Sequence, residues 1–231
     1  ILLFFKRNAL FGVTGNTPDE FSKFEITLLD GLVAPHTLRR AISYLNNTPM
    51  NILIWQGAKG MYLFENKNAI PIHEDIKNFF DPREPNARKL HSSYIEKSVG
   101  FVDNENLEYH WLFADGSSTG NLNREFTFDL VRGSWYEINR GSSAALQFGM
   151  EVIDTNSNRY NYGFRNNGIM CRLENGSHFN SNAINHELWT GDVALDNKRT
   201  MSVAALRKIR LISKSTTATS ASIIVKHYVD S

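Results

Sequence analysis

The stretch 108–139, EYHWLFADGSSTGNLNREFTFDLVRGSWYEIN, constrains the fold more than any other part of this chain. Two runs alternate large apolar with polar residues across a Gly/Ser/Asn loop, and Arg132-Gly133 turns the second run into a third at Ser134–Ile138. Period-two alternation puts one side of each strand on a core and the other on water. Turns at such short intervals build antiparallel meanders, because a parallel crossover needs a dozen or more residues. The pattern recurs at 51–72, where Ile52–Trp55, Gly60–Phe64 and Ala69–Ile72 are separated by Gly-Ala-Lys and Asn-Lys-Asn. Further hairpins are expected at 2–14, at 98–114 around Asn104-Glu105-Asn106, and at 146–164 around Thr155–Asn158. One short helix is expected over His73–Phe80, with Ile76, Phe79 and Phe80 on one face and Asp81-Pro82 closing it. The expected fold is all-β, with repeated meanders forming part of a β-propeller.

Strand spacing lengthens after Asn175-Gly176. Residues 1–176 therefore read as propeller blades, and 177–231 as a smaller β-sandwich-like segment serving assembly. The chain opens on an apolar strand, which reads as a fragment of a larger propeller. The 231 residues are 42% hydrophobic and 12% aromatic, enough for a substantial core. A formal charge of +1 gives no overall attraction to nucleic acid or anionic membrane. No apolar run approaches the roughly 20 residues of a membrane helix. The single cysteine, Cys171, lies in a strand pattern and reads as a buried structural thiol.

Chemistry-bearing motifs are sparse. There is no Gly-x-Ser-x-Gly elbow and no phosphate-binding glycine pattern. The seven histidines, His110 among them, show no His-first ligand spacing, so no catalytic, cofactor or metal site is expected. Asp154–Asn158 and Ala114–Ser118 read as turns. The aromatic groups Trp55/Tyr62/Phe64, Trp111/Phe113 and Phe126/Phe128/Trp135/Tyr136 read as core. One charge cluster stands out: Lys198, Arg199, Arg207, Lys208, Arg210 and Lys214, with no acid between 198 and 214 apart from none that would offset it. Such a strand can line a DNA channel by phosphate attraction. With no interleaved aromatics, it reads better as a subunit interface facing acids such as Asp19 and Glu20.

Several segments resemble the tail nozzle of short-tailed bacteriophages, also described as tail tubular protein B or tail stabilisation protein. They are Leu2–Gly15, Gly31–Leu38 with its Ala-Pro link, Trp55–Phe64, and Phe126–Trp135. The resemblance lies in hairpin order and turn residues and covers most of 1–176. It implies a non-enzymatic virion component made in the host cytoplasm. Copies would form a ring, commonly a hexamer, against the tail adaptor and other tail proteins, and DNA would pass through the ring. The alternative is a carbohydrate-binding or glycoside-cleaving propeller domain aimed at host glycans, which exposed aromatics beside paired carboxylates would favour.

Overall fold

A computed structural model describes residues 2–28, 31–45 and 47–173, together with 178–179 and 182–183. Contacts divide the chain after Asn185, and the fold below is that of the first unit. Its strands form sheets in simple chain order. Sheet I is β1 (Leu2–Phe5), β2 (Leu10–Thr14) and β3 (Ser22–Thr27). Sheet II is β4 (Ala34–Ser43), β5 (Met50–Gln56), β6 (Met61–Glu65) and β7 (Asn68–Pro71). Sheet III is β8 (Val99–Asp103), β9 (Glu108–Phe113), β10 (Arg124–Asp129) and β11 (Trp135–Glu137). Sheet IV is β12 (Leu146–Ile153), β13 (Arg159–Arg165) and β14 (Met170–Arg172), and a two-stranded ribbon pairs β15 (His178–Phe179) with β16 (Asn182–Ala183). Every strand pairs antiparallel with its sequence neighbour within its sheet.

The propeller expectation is overturned. A propeller closes a ring of blades around a channel, whereas these are separate small sheets and none closes into a propeller or barrel. The core explains why. Three clusters fill the described residues, and each joins sheets adjacent in sequence. Leu10, Trp55 and Tyr62, with Leu3 and Phe5, join I to II. Ile52, Ile54, Met61, Leu63, Tyr109, Trp111, Phe113, Phe126 and Phe128 join II to III. Val99, Phe101, Leu112, Leu146 and Leu173 join III to IV. None of these clusters joins IV back to I. Meander grammar specifies each sheet locally, but ring closure depends on contacts between first and last sheets, which no local pattern encodes.

Alternation is the force that stacks the sheets. On β5 and β6, Ile52, Ile54, Met61 and Leu63 face sheet III, while Trp55 and Tyr62 face sheet I. On β9, Tyr109, Trp111 and Phe113 face sheet II, and Leu112 faces sheet IV. Burying each such side chain stabilises by about 1.5–3 kcal/mol relative to exposure. Polar atoms inside the stack are matched. Trp111 Nε1 donates to Gln56 Oε1 at 2.8 Å, and the Tyr109 hydroxyl donates to the Thr37 carbonyl at 2.8 Å. Trp55, Trp111 and Trp135 are buried, in keeping with the expected core, but Tyr136 is 40% exposed. Cys171 is half-buried.

The expected helix is a 3-10 segment, Glu74–Phe80. It still buries Ile76 and lays Phe79 and Phe80 on the core between II and III. The Pro35 connection proves to be the start of β4, an edge strand whose pairing skips between Ala34 and Arg39, which is where a strand tolerates proline. The turn at Arg132-Gly133 places Gly133 at φ 73°, a left-handed conformation that glycine adopts without steric penalty.

Candidate functional site

The face of sheet III that looks toward sheet IV carries the chain's densest set of described titratable groups. Cross-strand register builds it: Asp103 lies opposite Glu108, which lies opposite Asp129. One step along, Phe101 lies opposite His110, which lies opposite Thr127. Glu108 and His110 are two residues apart, so they share a face. This half of the face is charged, and the other half, with Val99 and Leu112, is core.

His110 and Glu125 are fully enclosed. His110 Nδ1 sits 3.0 Å from Glu125 Oε1 and 3.2 Å from the Thr127 hydroxyl. Arg140 grips the same Glu125 carboxylate with two bonds, Nε to Oε2 at 2.5 Å and Nη2 to Oε1 at 2.8 Å. Paired forks of this kind are the stronger hydrogen bonds of proteins. Burial alone would raise the Glu125 pKa, but the Arg140 bonds outweigh it and bring it down to about 2. Burial alone would lower that of His110, but the bonds and charges of Glu108 and Glu125 hold it up at about 9. The Phe101 ring stacks on the imidazole, 4.3 Å between centroids and 7° from parallel, fixing its plane.

Beyond Arg140 opens a polar cleft of about 520 Å³. Arg124 organises it, donating to Asp115 Oδ2 at 2.9 Å, Glu137 Oε1 at 2.5 Å and the Ala87 carbonyl at 2.8 Å. Asp115 also accepts from Ser117 and Asn123. Burial would raise its pKa, but these donors hold it below the usual carboxylate range. A glycosidase acid needs the opposite, a carboxyl held protonated by its surroundings. No aromatic ring lines the cleft for sugar stacking. Both features tell against the glycan alternative at this cleft.

The interface residues singled out from sequence, Lys198, Arg199, Arg207, Lys208, Arg210 and Lys214, lie outside the described residues. The acids expected to face them, Asp19 and Glu20, are exposed in a 3-10 turn. The turn readings agree with the structure: Asp154 accepts from the Asn156 and Asn158 amides, and Asp115 from the Ser117 amide. The Asp103–Glu108–His110 group was missed. Its signal is Glu-x-His on an alternating strand with an acid across the turn, a carboxylate-first order that a search for His-first spacings passes over.

Comparison of the chain with protein-family models and with curated proteins finds no match.

Proposed function

We propose that this chain is a structural subunit of a short-tailed bacteriophage tail, of the nozzle type, assembling with copies of itself into a ring that conducts DNA. The observation that carries this reading is the outer face of sheet I. Leu3 and Phe5 turn inward to Trp55, so Leu2 and Phe4 turn outward, 60% and 50% exposed. Register sets Leu2 beside Val13 and Phe4 beside Phe11 on that outer face. Lys23 lies over the Phe11 ring at 4.0 Å. Phe21 and Leu28, at either end of β3, are 60% and 53% exposed. Among the described residues nothing covers this apolar sheet, and a sheet is stable with such a face only when another layer packs on it. A head-to-tail ring supplies that layer, because it joins two different patches of one subunit. The engaged state of the buried charges supports a scaffold role: Glu125, Arg140, Asp115 and Arg124 are bonded to one another or to neighbours rather than held in reactive states.

The test is the oligomeric state of the full chain by mass photometry and electron microscopy. Rings of one defined stoichiometry are expected, dispersed by Leu2→Ser with Phe4→Ser, and by reversing Arg207, Lys208 and Arg210 to Glu. A monodisperse monomer at micromolar concentration refutes ring assembly by this chain alone. Rings untouched by the Leu2/Phe4 pair refute sheet I as the contact.

A further inference from the structure

We propose that Asp103, Glu108 and His110 form a binding site for a single divalent transition-metal ion of the zinc type. Their ligand atoms all lie within 4.8 Å of one another. The site is distinct from the sheet I face and indifferent to whether the chain assembles into a ring.

The decisive contact is between His110 Nε2 and Glu108 Oε2, 3.6 Å apart. That is too long for an N–H···O hydrogen bond, and buried Nε2 has no hydrogen-bond partner. Two ligands on a tetrahedral zinc, each bonded at about 2.1 Å, lie about 3.4 Å apart. The gap therefore matches the edge of a coordination polyhedron better than it matches a direct bond. With Nδ1 donating to the Glu125 carboxylate, the neutral imidazole turns the Nε2 lone pair toward a carboxylate oxygen. Two acceptors face each other there, and a cation between them resolves the repulsion.

The surroundings orient all three ligands. Glu125 on Nδ1, itself clamped by Arg140, forms the carboxylate–histidine arrangement that accompanies most metal-bound histidines. The Tyr136 hydroxyl donates to Glu108 Oε1, leaving Oε2 directed at His110. Asp103 is held by the Glu105 and Asn106 amides on Oδ1 and by the Asn106 side chain on Oδ2. Asp103 and His110 are buried, whereas the Glu108 side chain is 23% exposed, which gives the ion a path in and a solvent molecule a fourth position. An imidazole with two carboxylates selects a zinc-like ion over calcium or magnesium, which favour all-oxygen shells. Bridging the two strands at the mouth of their hairpin, the ion would clamp β8 to β9.

The full chain, stripped with chelator and returned to neutral pH, is titrated with Zn2+ by calorimetry and with Co2+ by visible absorption. Wild type is expected to show a saturable site of one ion per chain, a cobalt d–d spectrum, and a rise in Tm with zinc. Glu108→Gln and Asp103→Asn should each weaken binding more than the roughly 10- to 100-fold typical of losing an orienting partner, and should abolish the Tm rise. Stoichiometric binding unchanged in both variants overturns the assignment, because surface histidines then hold the ion. So does a wild-type His110 whose Nε2 proton, seen by nitrogen-correlated NMR, survives excess zinc. That result leaves an imidazolium between two carboxylates as the whole account, and it needs no variant to fold.

Discussion

Replacing Arg140 by Met should be among the most damaging single substitutions in the described fold. The Arg140 and Glu125 side chains are 7% and 5% exposed, so solvent cannot take over the broken pair. The change removes two charge-assisted bonds, at 2.5 and 2.8 Å, and leaves a carboxylate enclosed with only the His110 side of its network. Breaking a buried pair from one side costs about 3–5 kcal/mol, mostly the unpaired charge that remains. For a domain of this size that is a Tm fall of roughly 6–20 °C. Methionine keeps much of the volume and the aliphatic stem, so packing loss is a minor part. The discriminating variant is the double change Arg140→Met with Glu125→Gln. It removes the stranded charge while keeping an oxygen for His110, and should recover more than half of the loss. Urea unfolding followed by tryptophan fluorescence reads it directly, since Trp111 and Trp135 are buried on the opposite face of the same sheet. A single-variant loss under about 1 kcal/mol, or a double variant no better than the single, would refute the view that Glu125 depends on Arg140 for its charge.

Asp115 sets part of the acid sensitivity. Its folded pKa is depressed, so its contribution is full above the unfolded value of about 3.9 and is lost as pH falls through the folded one. Asp115→Asn should flatten that limb of a stability-against-pH curve, and an unchanged limb would count against the Arg124–Asp115 contact. Gly149→Ala should destabilise by about 1–3 kcal/mol through overpacking, because a Cβ there would come within 2.3 Å of the Phe101 ring that stacks on His110. A neutral result in chemical denaturation would mean that Phe101 can move aside. Phe101→Ala should cost about 3–5 kcal/mol as a core truncation, and a smaller loss would show the sheet III–IV core collapsing onto the space.

Much of the strand layout was legible in the residues, because each hairpin is a local object. Alternation at Glu108–Phe113 and Arg124–Asp129, and the Asx turn of Asp103 over Asn104–Asn106, depend only on near neighbours. The burial of Trp55, Trp111 and Trp135 follows from the same alternation. Where local chemistry was ambiguous, tertiary contacts decided. Pro35 looked like a connection, but β5 recruits the strand that contains it. The helical pattern at Glu74–Phe80 settled as a 3-10 segment seated on the aromatic core. The propeller inference failed because it extended a local grammar to ring closure, a property of contacts between first and last sheets. The metal-ligand group was hidden for a related reason. Glu108 and His110 are neighbours on one strand, but register alone brings Asp103 across to them, and Arg140, fifteen residues beyond Glu125, completes the support. Periodicity determines which face a residue occupies; only the pairing of strands decides which charges meet there.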